Sequence, residues 1–474
     1  MTFTDPADRP IYPADADAPA LIEEDAPPHG KLTAGEWVRQ NLFNSWFNSV
    51  LTVVFGALIL WVLISLASFV LGADWEIVRR NLALATIGRF PRTDLWRPWT
   101  GMFILAATIG LASGTTAAGA ADRARDAGLE PETSSLRELF RRFWPVVLFA
   151  VVILQFTRTW GPTLLTIGLF ATLVAARYLG LWLPAAARRW TWVAVVIGIM
   201  MSFRVVDGFG GPSFSVTEVV ILAILAGAAA WYRRWGLLVA LAVIVVAMKI
   251  PLAEGGVGID EWGGLQLTVF LTVAGITLAF PLGLLLALGR RSNLPAVRWL
   301  SITYIEFIRG VPIITLLLVA QFFLGFFLPS GFDPPALVSR ALIVLSLFTA
   351  AYIAEIVRGG LQSVERGQIE AGLALGLATP AVMRLIVLPQ ALRAVIPSLV
   401  GQFISLFKDT SLVAIIGLTD LLRFSQLANA QGDFVGRNLA PFTLAFVGFV
   451  YWVGSYTMSR ESRRLERKLR VGEQ

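Results

Sequence analysis

Residues Arg366 to Gln390 read RGQIEAGLALGLATPAVMRLIVLPQ, the longest stretch of the C-terminal half that is not built to sit in lipid. Glu365, Arg366, Gln368, Glu370 and Arg384 are spread through it. Gly376, then Thr379-Pro380, read as a break followed by a new start, with Thr379 as N-cap and Pro380 at the first helical position. Pro389 is expected to end the second short helix, because proline disfavours helical geometry in the residue before it. The pattern predicts two short helices meeting at an elbow near Gly376. Ile369 and Leu373 share one side of the first; Val382, Leu385 and Ile386 share one side of the second. Flanked by long apolar spans, such a protrusion is a lever for another protein.

Composition sets that lever on a membrane. The chain has 474 residues, 56% hydrophobic and only 15% charged, with a mean hydropathy of +0.70. Soluble domains carry about 25% charged residues. The long apolar runs predict an all-α polytopic membrane protein, and the 16 tryptophans suit interfacial anchoring. The net charge of +7 sits largely on loop arginines, which fits membrane orientation rather than nucleic-acid binding. The absence of cysteine excludes disulfides and thiol chemistry. A single histidine, His29, excludes a His-based metal site. No acid, base and metal constellation points to an enzyme. A P-loop ends in Gly-Lys-Ser/Thr, whereas Gly30-Lys31 is followed by leucine. The chain is not expected to hydrolyse ATP or to bind a cofactor itself.

Three regions follow. Residues 1–45 are a cytoplasmic tail, disordered in the acidic part and amphipathic from Trp37 to Phe47. Residues 46–255 form an N-terminal membrane extension of about seven spans. Their apolar runs are 49–71, 100–118, 144–156, 162–182, 191–204, 217–231 and 236–250. The second is rich in Gly, Ala and Thr, which let membrane helices approach closely. Residues 256–474 form a five-span block, with spans near 264–288, 299–328, 341–356, 391–416 and 440–458. The elbow loop (365–390) lies before the fourth, and a basic tail closes the chain. The total is about 12 helices. Basic loops place both termini in the cytoplasm. One segment disagrees: 72–98 falls outside yet carries Arg79, Arg80, Arg89, Arg92 and Arg97.

Glu370-Ala371-Gly372, Gly376 and Ile386-Val387-Leu388-Pro389 resemble the EAA loop of ABC-importer permeases, with Gly372 in place of an alanine. Gly264-Leu265 with Thr268, Tyr304-Ile305-Glu306, Arg309-Gly310-Val311-Pro312, Glu355 to Gly360 and Lys408 to Leu412 resemble the polar-amino-acid branch of that family, in its order. The likeness is strong over the C-terminal block and weak over the first 250 residues. It is closest to permeases of broad-range L-amino-acid uptake systems with a long N-terminus. The resemblance implies a type I ABC-importer transmembrane fold in a bacterial inner membrane. It implies as partners a second permease, two ATPase subunits that use ATP and Mg, and a periplasmic amino-acid-binding protein. Glu370, Ala371, Gly372, Gly376, Leu388 and Pro389 would then carry the ATPase coupling.

Charges within a span are costly and face protein or a watery path. An amino acid needs an acceptor for its ammonium and donors for its carboxylate. Asp409, beside Thr410 and Ser411, is a candidate for the ammonium side; Lys408 either pairs with it or meets the carboxylate. A buried ion pair that only fixes packing is the alternative. Gln321 faces the path or bonds a neighbouring helix. Glu306 with Arg309, and Glu355 with Arg358, have the i, i+3 spacing of pairs on one helix face, with a structural or gate-side role. Gly310 and Pro312 weaken the helix and suit a bend. The competing function is an ion-coupled secondary amino-acid transporter, which would favour inverted repeats; the two ends of this chain show none.

Overall fold

The structure is a computed structural model that describes residues 33–128, 130, 140–156, 160–207, 256–327 and 334–470. The acidic tail and the runs 217–231 and 236–250 lie outside the described residues. The chain divides into two compact units, Met1–Ala73 and Asp74–Gln474.

The first unit holds α1 (Ala34–Leu42) and α2 (Trp46–Gly72). A capping box starts α1: the Glu36 N–H donates to Thr33 Oγ1, and the Thr33 N–H donates to Glu36 Oε2 at 2.9 Å. That backbone bond, with the Thr33 hydroxyl, holds the Glu36 carboxyl below its ordinary value. Ser45 caps α2 through the Asn48 N–H. The 27 residues of α2 carry no charge, and none is buried. Such a helix is stable only where lipid or protein covers it.

In the second unit the extension comes first: α3 (Glu76–Arg80), α4 (Leu82–Ile87), α5 (Trp96–Asp126), α6 (Trp144–Phe156), α7 (Trp160–Trp182) and α8 (Thr191–Asp207). The expected close approach of α5 is present. A Cβ on Gly114 would stand 2.9 Å from Gly180 Cα of α7, and one on Gly101 would stand 2.7 Å from the Ser202 carbonyl of α8. The helix α6 lies along the last helix of the block, α17 (Ala440–Arg470). Trp144 meets Trp452 and Tyr456, and Phe149 meets Phe449. Arg142 Nε donates to Glu461 at 2.8 Å.

The block itself is α9 (Gly264–Arg290), α10 (Pro295–Gly310), α11 (Ile313–Phe322), α12 (Leu337–Ser363), the elbow, α15 (Leu388–Asp409), α16 (Leu421–Asn429) and α17. At 1.5 Å per residue α9 is about 40 Å long, enough to cross a bilayer. Gly283 of α9 lies against Ile353 of α12, and Gly360 of α12 lies against Ala391 and Val395 of α15. Leu267, Leu271, Leu345 and Leu406 fill the core near the start of α9; Ala287, Ile305, Ile353 and Val387 fill it near the end.

The segment 72–98 is not a loop. Ile77, Val78 and Ala85 of α3 and α4 are buried in one cluster with Phe424 of α16 and Phe446 of α17. Asn81 and Gln431 exchange amide hydrogen bonds at 3.1 and 2.6 Å. Glu76 pairs with Arg79 and Arg80, which hold its carboxyl low. Arg97 is buried within α5 and bonds Asp94 and the Val205 carbonyl, each at 3.2 Å. The arginines that break the orientation rule thus belong largely to a folded cap, not to a free loop.

Six described helices are long and apolar enough to cross a membrane, or seven if the bent pair α10–α11 counts as one. The described parts of α6 and α8 are shorter apolar helices. The expected fifth span of the block is the first half of α17, where Tyr451, Gly454, Ser455 and Tyr456 dilute its apolar character.

Candidate functional site

The elbow joins α12 to α15. Its first helix, α13 (Arg366–Ala374), ends in a double-bonded glycine cap. The Leu377 N–H donates to the Gly372 carbonyl at 3.2 Å and the Gly376 N–H to the Leu373 carbonyl at 2.9 Å. Gly376 has φ +78, which only glycine adopts without strain. The second helix, α14 (Thr379–Val382), starts one residue earlier than expected. Ala378 is the N-cap, Thr379 is already helical and makes no capping bond, and Pro380 sits in the first turn. First-turn N–H groups lack intrahelical acceptors, so proline fits at any of them.

Pro389 does not end this helix. The chain passes through a π turn, Met383–Val387, directly into α15, with Pro389 in its first turn. The wider turn absorbs the proline's missing N–H and its ring. The second arm of the elbow and the fourth span are therefore one run, Thr379–Ala414.

The inward faces also differ from expectation. Val382, Val387 and Gly372 are buried, with Ile369 and Ile386 packed on them, whereas Leu373 is 47% exposed, Leu385 64% and Leu375 81%. The next-residue twist of a helix carries Leu373 and Leu385 off the seam that Gly372 and Ile386 make. A Cβ on Gly372 would stand 2.8 Å from Ile386 Cδ1 and 3.1 Å from Val382 Cγ2. Gly372 brings the two arms together. Of the coupling candidates, Glu370, Ala371, Gly376 and Pro389 face outward; Gly372 is buried and Leu388 is half-buried against the core.

A charged cluster lies where α9 ends. Glu355 is its hub: Arg358 Nε donates to it at 2.9 Å, Arg290 Nη1 at 3.5 Å, and Arg309 Nη1 stands 3.9 Å away. The Glu355–Arg358 pair forms as its spacing predicts. The Glu306–Arg309 pair does not: Glu306 accepts from Arg290 Nη1 at 3.0 Å, and Arg309 lies over the Tyr352 ring. Arg290, at the end of α9, reaches both acids across helices and displaces the same-helix pair. Arg291 Nη1 donates to the Leu361 carbonyl at 3.2 Å. In the sequence, the signal for this link is the pair of arginines, Arg290 and Arg291, that closes a long apolar helix. Beside this cluster α10 and α11 meet at 99°. Gly310 remains helical, and the turn is made by extended Val311 before Pro312.

The path candidates lie at the other end of α15, about 30 Å from the elbow along the helix. Among the described residues Lys408 and Asp409 form no ion pair, since consecutive helical residues do not face each other. Lys408 is exposed, and Asp409 and Ser411 are half-buried. Thr410 is buried, its hydroxyl donating to the Phe407 carbonyl at 2.7 Å. Gln321 bonds a neighbouring segment: its Nε2 donates to the Ile416 carbonyl at 3.1 Å.

Residues 279–471, which hold the elbow and both charged groups, match the model of the binding-protein-dependent transport system inner membrane component family. A glutamate/glutamine/aspartate/asparagine transport system permease protein of Rhodobacter capsulatus is 33% identical, covering 94% of this chain and 95% of its own. The chain belongs to this permease family. An inner membrane amino-acid ABC transporter permease of Escherichia coli is 46% identical over 45% of this chain and 57% of its own. A probable glutamine ABC transporter permease of Bacillus subtilis is 36% identical over 43% of this chain and 91% of its own. The permease fold is therefore a multi-pass helical bundle, and the likeness to the first relative extends through the N-terminal region that sequence motifs matched only weakly.

Proposed function

We propose that this chain is the transmembrane permease subunit of an ATP-driven importer of L-amino acids. It forms half of the translocation path and takes its motion from a separate ATPase through the elbow. The observation that carries this reading is the elbow's construction. Its outer face, with Glu370, Ala371 and Leu375, is exposed, while its second arm runs without a break into a span. A push on the exposed face moves that helix as a rigid rod, which couples two arrangements of the bundle. A second permease, two ATPase subunits and a periplasmic amino-acid-binding protein complete the assembly, with the elbow and both termini in the cytoplasm. ATP and Mg belong to the ATPase. The relatives named above support amino acids as cargo.

Glu370→Arg tests this. Glu370 is exposed, so the variant is expected to reach the membrane at normal levels while amino-acid uptake and co-purification of the ATPase collapse. Unchanged uptake overturns the reading.

A further inference from the structure

At the end of α9 remote from the elbow lies an open pocket of about 370 Å³, lined by Arg89, Asp260, Glu261, Trp262, Leu337 and the chain at 417–419. That volume lies in the range of small-molecule sites. Arg89 comes from the extension, and the other lining groups come from the block. Their meeting is fixed by backbone. Gly88 has φ +65, and a Cβ on Gly263 would stand 2.7 Å from both Gly88 Cα and the Thr419 carbonyl. The Gly264 N–H donates to that carbonyl at 2.7 Å.

The charges in this cavity are not spent on each other. Arg79, Arg80 and Arg97 nearby are in ion pairs. The side chains of Arg89, Asp260 and Glu261 make no ion pair or hydrogen bond among the described residues. One exposed guanidinium and two exposed carboxylates line the same pocket beside Trp262 and Leu337, a set that matches a particular class of ligand. An anion would meet two carboxylates, and a cation would meet Arg89. A zwitterion satisfies both signs, its carboxylate on the guanidinium fork and its ammonium on the acids.

We infer that this cavity is a second amino-acid site, at the mouth of the path opposite the elbow, in which Arg89 holds the α-carboxylate and Asp260 with Glu261 the α-ammonium. The inference rests on the amino-acid importer reading. It gives the extension a chemical task, since the cation comes from it.

The test uses the full complex in nanodiscs without binding protein, with radiolabelled L-glutamine and L-glutamate as probes. Arg89→Gln and the double variant Asp260→Asn, Glu261→Gln are each expected to weaken equilibrium binding by about tenfold or more, the loss of one charged hydrogen bond. Arg89→Lys should recover part of it. 4-Aminobutanamide, which lacks the α-carboxylate, should bind wild type no better than it binds Arg89→Gln. Superimposable isotherms for wild type and both charge variants overturn the site. So does an intact isotherm with weakened capture of the binding protein, which would make the cavity a protein-docking surface. If wild-type cells take up no L-amino acid, the importer reading itself fails; normal wild-type uptake with unchanged isotherms sinks only the cavity.

Discussion

Two glycines one helical turn apart in sequence, Gly372 and Gly376, do opposite jobs. Gly376 needs its positive φ to close the cap of α13. Alanine there is strained by about 1 kcal/mol, and the strain falls on the angle between the two arms. Gly372 sits in ordinary helical backbone; its Cβ would meet the far end of Ile386, a side chain that can shift, and would press on Val382 Cγ2 at 3.1 Å, which must give by a few tenths of an ångström. Alanine there also gains helix propensity of up to about 1 kcal/mol. Gly376→Ala is therefore expected to cut uptake several-fold at unchanged membrane abundance, while Gly372→Ala stays near wild type. Uptake assays normalised to immunoblotted permease distinguish the two. Equal loss in both would mean that the seam, not the cap, sets the elbow.

At the scale of elements, the short helix α16 starts on a buried carboxylate. Asp420 caps it, accepting from the Leu422 and Arg423 N–H groups at 3.0 Å each, and is fully buried beside Gly264. Burial pushes its carboxyl up to about 6, against the lowering effect of those N–H groups. The folded protein then holds this proton to higher pH than the unfolded chain does. Between the ordinary carboxylate value near 4 and about 6, folding takes up a proton, so this group's contribution grows as pH falls and is lost as pH rises through 6. Thermal unfolding of the solubilised permease should show this slope in wild type and a flatter one in Asp420→Asn, which keeps a capping oxygen. An identical slope would assign the effect to other groups. The elbow, the bend at Pro312 and most apolar runs were legible because glycine, proline and long apolar patterns act locally. The π turn was not: Pro389 reads as a stop, and only packing of Val382 and Val387 on the block makes the helix continue through it. Nor was the Arg290 link to Glu306 and Glu355, because a same-helix spacing says nothing about a closer partner on another helix.

Across the whole second unit, the extension is built into the block rather than appended to it. The cap of α3 and α4 shares a buried cluster with α16 and α17, and α6 lays its aromatics along α17. Sequence alone left the extension's role open, because its contacts join residues some 350 positions apart, such as Asn81 and Gln431. If the cap stabilises the block, Ile77 and Phe424, both fully buried there, are energetically coupled. Ile77→Ala should cost about 2–5 kcal/mol and Phe424→Ala about 3–5 kcal/mol. The double variant should cost less than the sum, because each cavity already loosens the other's surroundings. Denaturant or thermal unfolding of the four proteins in one detergent measures the cycle. Strict additivity would mean that the cap and α16 do not support each other, and that the extension's hold on the block lies instead in the α6–α17 seam.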